Sequence, residues 1–249
     1  MTDASSPDSS RLGGGYAASH HDPGPTVEAV LAAATAGGAC SHLVVLAGPP
    51  GVGKSAVGVR LLDLLPNSFC VDKDLTASGF ILAAARTAGL PVAEAYGTER
   101  YWRELRPLEY ACSLSTACAN LIGTRIVFTI GGWGPELGVD RLWTGLQKRL
   151  FPAGLTVFHL EAPDLETWRR RLAARGSRSD SPWFESFAKA VTSVPVWDGA
   201  IGVPTDGPLH EVVASVLACL PEFEPLEPEP LEPEPLEPEP LDGRPEAST

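Results

Sequence analysis

The sequence predicts a three-layer α/β domain built on a five-stranded, mainly parallel sheet. Short apolar runs alternate with longer runs of helical spacing between residues 26 and 220, and a glycine-rich string separates the first apolar run from the helix behind it. In chain order, Thr26 is placed to cap a short helix, "VEAVLAAATA". "HLVVLA" (42–47) reads as a buried strand, and "SAVGVRLLDLL" (55–65) as a helix with an apolar stripe. "SFCVD" (68–72) is a second strand, followed by the helix "LTASGFILAAARTAG", which ends near Gly89 and Pro91. In "TERYWRELRPLEYACSLSTACANLIG" apolar or aromatic residues at 101, 105, 108, 112 and 118 predict a helix interrupted at Pro107. "RIVFTI" (125–130), "LTVFHLEA" (155–162) and "AIGV" (200–203) complete the strands, with helices at 136–150, 164–175 and 208–220 between them. Strands separated by helices imply a parallel sheet covered on both faces.

The 249 residues and 44% apolar content suit one domain with a full core. No apolar run approaches the ~20 residues of a membrane span. The N-terminus shows neither an apolar signal core nor an Arg-rich amphipathic pattern, so neither a signal nor a transit peptide is expected, and no membrane partner is expected either. Cys40, Cys70, Cys112, Cys118 and Cys219 are odd in number and form no CxxC pair, which points to free thiols in a reducing cytoplasm. Net charge is −12, of which −9 falls from Pro221 onward. The mildly acidic remainder lacks the basic footprint of a long nucleic-acid binder.

Residues 1–25, rich in Ser, Gly, Asp and Pro, read as a disordered arm, 26–220 as the domain, and 221–249 as a disordered acidic tail. In that tail "PLEPE" recurs three times from Pro225 to Glu239. Proline at that density favours extended polyproline II, stiffened by acid repulsion. A proline-reading domain is its candidate partner; a solubilising role is the plainer reading.

Three motifs carry chemistry. "GPPGVGKS" (48–55) fits G-x-x-x-x-G-K-[ST] between a strand and a helix, a P-loop for ATP. Gly48, Gly51 and Gly53 permit close backbone approach, and the N–H groups of the loop, which also includes Pro49, Pro50 and Val52, face phosphate with the helix N-terminus. Lys54 reaches the terminal phosphates and Ser55 offers a hydroxyl to Mg²⁺. "VDKDL" ends the next strand, placing Asp72 and Asp74 eighteen and twenty residues beyond Lys54. At a strand's carboxyl end they share the phosphate crevice, where one carboxylate can take the proton of a substrate hydroxyl and the other can steer Mg²⁺. A helix N-cap is the alternative use of such an aspartate. In "WRRRLAARGSRSDSPWF" (168–184), Arg171 and Arg175 share a helix face and Arg178 follows in a Gly/Ser-rich loop, a lid for a bound triphosphate.

Together, the P-loop, the "DKD" and the "R-x-x-x-R-G" run resemble the P-loop small-molecule kinases, the group often labelled AAA-family ATPases. That group includes chloramphenicol phosphotransferase, zeta toxin and the kinase domain of polynucleotide kinase. The resemblance implies a P-loop NTPase fold, ATP with Mg²⁺, and a small-molecule hydroxyl as phosphoryl acceptor. It implies Asp74 as general base and Arg171 and Arg175 as paired lid arginines, with Asp72 a metal or substrate neighbour. One departure concerns the strand "RIVFTI", where relatives carry a carboxylate and this chain has Thr129 followed by glycines. No second-half elements of an AAA motor are visible. Tyr101, Trp102, Arg103 and Trp133 are candidates for the acceptor pocket, Arg103 and Arg106 alternatively for internal ion pairs. A nucleotide-binding switch or scaffold, and a kinase acting on nucleic-acid ends, are the competing functions.

Overall fold

The computed structural model describes residues 21–221 apart from 92, 93, 97, 178 and 181. Most of the arm expected over 1–25, and the tail from residue 222, lie outside the described residues. The sheet consists of β1 (His42–Ala47), β2 (Ser68–Asp72), β3 (Ile126–Ile130), β4 (Gly154–Leu160) and β5 (Ile201–Val203). Their order across the sheet is β2-β3-β1-β4-β5. Every pair is parallel, so the sheet is wholly parallel rather than mainly so.

Parallel strands need crossovers, and these cover both faces. Alternation along the strands sends Leu43, Val45, Val127 and Val157 to one side, against α1 (Gly24–Ala33), α4 (Arg106–Cys118) and α6 (Asp140–Leu150). Val44, Leu46, Phe128 and Phe158 point to the other side, against α2 (Lys54–Leu64) and α9 (Leu209–Ala218). Residues Leu43 to Ala47 are completely buried, the continuous apolar run expected of a central strand. Each of the four Leu and Val side chains among them contributes about 1.5–3 kcal/mol of transfer free energy.

Four local differences from expectation have physical causes. α1 begins at Gly24 instead of beyond Thr26, because Pro23 and Pro25 preset its first turn and bury Thr26 inside it. α3 (Lys73–Thr87) begins two residues early, because Asp72 is its N-cap and its Oδ1 accepts from the Asp74 N–H at 3.0 Å. The helix before Pro107 is a π-helical turn, Tyr101–Leu105, and not an α-helix. Its longer repeat slips the phase, so Leu108 and Cys112, expected on the apolar stripe, are exposed. Arg106, Glu109, Tyr110 and Ser113 take the buried face in their place. Finally, α8 (Trp183–Thr192) was not anticipated, although Phe184, Phe187, Ala188 and Val191 have helical spacing. It packs on α7 (Leu165–Ala174), where Phe184 and Phe187 enclose Trp168.

Among the described residues no helix is long and apolar enough to cross a membrane.

Candidate active site

The carboxyl ends of β1, β2 and β3 open into a cleft of about 480 Å³. Register puts Leu46, Ile130 and Asp72 level across these strands. The loop after β1 leads directly into α2, and two of its glycines are sterically required. Gly48 has φ +143°, and a Cβ there would overlap the Leu160 carbonyl oxygen. Gly51 has φ +84°, and its Cβ would press on Leu172 Cδ2 and the Trp168 indole nitrogen. That indole donates to the Pro50 carbonyl at 2.8 Å. Trp168 therefore pins α7 to the loop.

Lys54, the first residue of α2, folds back and donates from Nζ to the carbonyls of Gly48 and Pro49, each at 2.8 Å. Burial lowers its pKa to about 8; Lys73 and Arg175 act in the same direction, and Asp74 and Asp72 oppose them. Ser55 Oγ donates to Asp72 Oδ2 at 2.7 Å, reaching past the end of β3. A side-chain-free Gly131–Gly132 lines the cleft at that strand end. Asp72 thus comes to Ser55 from β2, one strand beyond β3 in the sheet.

Asp74 lies in the first turn of α3 and lines the same cleft. Burial raises its pKa, but Lys73, Lys54 and Arg175 outweigh that and hold the carboxyl below its ordinary 3.8. Lys73 donates to Asp74 Oδ1 at 2.6 Å and to Glu109 Oε1 at 3.0 Å. Burial alone would lower the Lys73 pKa; Glu109 and Asp74 raise it well above the usual value. Glu109 is closed on its other side by the Tyr101 hydroxyl, which donates to Oε2 at 2.9 Å. Arg106 donates to the same phenol at 3.3 Å and grips Glu136, in α5 (Gly134–Leu137), through two bonds of 2.9 and 2.6 Å. Its guanidinium is sandwiched between Trp102 and Tyr110, 4.6 Å from each ring centroid.

Several expected residues do meet here: Pro50, Gly51, Gly53, Lys54, Ser55, Asp72, Asp74, Tyr101, Arg171 and Arg175 line one cleft. Gly48, Pro49 and Val52 complete the loop, with Val52 turned into the core. Arg171 donates to the Thr205 carbonyl at 2.8 Å, and Arg175 closes the C-terminus of α7. Arg178 lies outside the described residues.

Two acceptor assignments are corrected. Trp133 is 2% exposed and stacks edge-on between Tyr110 and Trp143 in the core. Its backbone takes the left-handed conformation, φ +58°, and turns the indole away from the cleft while its N–H donates to the Tyr110 hydroxyl at 3.1 Å. Arg103 has a side chain 74% exposed, 3.9 Å from Glu99 on the outer face of the π turn. The inward position is taken by Arg106, which lines the cleft. Lys73, although inside the "VDKDL" motif, was given no role of its own, and Glu109, Tyr110 and Glu136 carry no local signal of their own that sets them apart from other residues of their helices. The phase of Arg106, Glu109 and Ser113 with Tyr110, Leu114 and Ala117 was the available signal.

The chain has the fold seen in solved structures of P-loop small-molecule kinases. Among solved structures it is similar to a candidate kinase from Chloroflexus aurantiacus, at 15% identity over 73% of this chain and 100% of that one, with a TM-score of 0.50. It is also similar to a gluconokinase from Sinorhizobium meliloti (16%; 71% and 90%; TM-score 0.47) and a shikimate kinase from Aquifex aeolicus (23%; 71% and 94%; TM-score 0.38). No protein-family model matches the sequence, and no curated protein matches it.

Proposed function

We propose that this protein is an ATP-dependent phosphotransferase that moves the γ-phosphate to a hydroxyl of a small molecule. The observation that carries this is a single cleft holding both a phosphate loop with its lysine and an ionised aspartate, Asp74. An ionised carboxylate beside the phosphate loop suits acceptance of a proton from an attacking hydroxyl.

The residues present fit ATP with Mg²⁺. The loop glycines leave open backbone before the N-terminus of an eleven-residue helix, an arrangement suited to phosphate. Ser55 Oγ and Asp72 Oδ2, 2.7 Å apart, are the hard oxygen donors Mg²⁺ takes, directly or through water. Bound there, ATP–Mg²⁺ would supply the phosphoryl group that the acceptor oxygen takes, with ADP as the leaving group. Asp74 receives the acceptor's proton. Lys73 keeps Asp74 oriented and anionic, so it is ready to accept at neutral pH. Lys54, Arg171 and Arg175 offset charge on the transferring group.

The test is mass spectrometry of reactions of the protein with γ-labelled ATP and a metabolite extract, alongside Lys54→Ala. A phosphorylated metabolite that appears only with Lys54 intact is the expected result. Tight nucleotide binding with no product would favour the switch or scaffold reading.

The Lys54 pKa adds a second expectation. Below about 8 the ammonium is charged and binds phosphate; above it the charge is lost. ATP affinity measured without Mg²⁺ should therefore be constant from pH 6.5 to 7.5 and weaken toward pH 9.5, and Lys54→Arg should flatten that decline.

A further inference from the structure

Asp74 is held in place from outside its own helix. Its side chain is 56% exposed, and among the described residues its carboxylate accepts a single hydrogen bond, from Lys73 to Oδ1 at 2.6 Å. What holds Lys73 therefore sets where the carboxylate stands.

A lysine ammonium rides on a flexible four-carbon stem and, paired only with an exposed carboxylate, would follow it toward water. The Lys73 side chain is instead 11% exposed and is held from behind by Glu109, whose Oε1 accepts from it at 3.0 Å. Glu109 belongs to α4, 36 residues further along the chain. Its side chain is completely buried, and its other oxygen accepts from the Tyr101 hydroxyl at 2.9 Å. That phenol accepts in turn from Arg106, which both oxygens of Glu136 hold. Bonded through both oxygens inside such a network, Glu109 is a fixed point and not a mobile counter-ion.

A second tie joins the same two helices. Thr76 Oγ1 meets Ser113 Oγ at 3.2 Å, and Ser113 donates to the Glu109 carbonyl at 3.0 Å. The first turn of α3, which carries Asp74, is thus clamped to α4 on both sides of that residue. Lys73 and Asp74 line the cleft, with Glu109 behind them.

We infer that Glu109 is a positioning residue for phosphoryl transfer: by anchoring the Lys73 ammonium to α4 it fixes Asp74 Oδ1 and leaves Oδ2 to take the acceptor's proton. This role rests on the phosphotransferase reading and deepens it, because it assigns part of the competence of Asp74 to a side chain on another helix.

Glu109→Gln keeps the shape and removes the charge; its one amide oxygen can accept from Lys73 or from Tyr101 but not from both. The first readout needs no acceptor. The lysines are residues 54, 73, 148 and 189, so isotope labelling of lysine side chains in the full chain gives few ammonium signals by NMR, and Lys73→Gln identifies the one from Lys73. Its protons are expected to exchange with water about tenfold more slowly than those of the exposed Lys148 and Lys189, and to lose that protection in Glu109→Gln. A Lys73 signal that exchanges as fast as the exposed ones in the wild-type chain overturns the inference, and so does protection that survives Glu109→Gln.

The second readout uses the phosphorylated metabolite identified with γ-labelled ATP. Glu109→Gln should lower kcat on the order of tenfold at unchanged ATP affinity, and adding it to Lys73→Gln should cost nothing further, since the two act as one unit. The double variant buries no charge of the pair, so this comparison with Lys73→Gln stands even where Glu109→Gln alone does not fold. Losses that add, or an unchanged kcat in folded Glu109→Gln, overturn the role of Glu109 and leave the phosphotransferase reading standing. No product from the wild-type chain overturns both.

Discussion

Asp74→Asn is expected to retain ATP binding within about twofold and to lose phosphoryl transfer by roughly a thousandfold, the middle of the range for a positioned general base. The amide keeps an oxygen where Lys73 now donates at 2.6 Å, so geometry survives and only proton acceptance is removed. Rapid-mix product assays paired with calorimetric ATP titration separate the two effects. Transfer at the wild-type rate would end the assignment of Asp74 as base. Its pKa gives an independent check on sign. The carboxyl is held below 3.8, so kcat/KM should show no acid limb down to about pH 5. Replacing Lys73 by Gln removes the largest lowering influence and should move an acid limb upward into the measurable range.

The second large effect concerns stability. Glu136→Leu leaves the Arg106 guanidinium, 3% exposed, without its carboxylate. Breaking a buried pair from one side costs about 3–5 kcal/mol. For a domain of this size each kcal/mol moves Tm by about 2–4 °C, so a fall on the order of 10 °C should appear by calorimetry. Arg106→Met combined with Glu136→Leu should recover most of it, because two apolar side chains remove the desolvation problem that the pair exists to offset. A double variant as unstable as the single one would contradict this account of the pair.

Much of the molecule is legible from its order of residues. A buried strand such as "HLVVLA" and the string behind it announce themselves through composition, and a parallel sheet places Asp72 and Asp74 at the same edge as the P-loop without further information. What escaped has a common cause. Strand order across the sheet depends on pairing between residues far apart, as where Ser68 meets Ile126. The π turn slips the helical phase by a fraction of a turn, enough to expose Leu108 and bury Arg106. Glu109 and Glu136 are ordinary acids in sequence and become structural only through partners such as Tyr101, eight residues away from Glu109, and Arg106, thirty residues from Glu136. Trp133 looked like a binding aromatic because nothing local reports its left-handed backbone. Arg103 and Arg106 could be told apart only by knowing which face of the turn was inside.

The bond from the Trp168 indole to the Pro50 carbonyl has a consequence for how a nucleotide arrives. With Phe184 and Phe187 packed around that indole, α7, with Arg171 on it and Arg175 at its C-cap, is joined to the phosphate loop through an aromatic cluster. Association should follow diffusion and electrostatic steering with a single kinetic phase, and the emission of Trp168 should change as the loop fills.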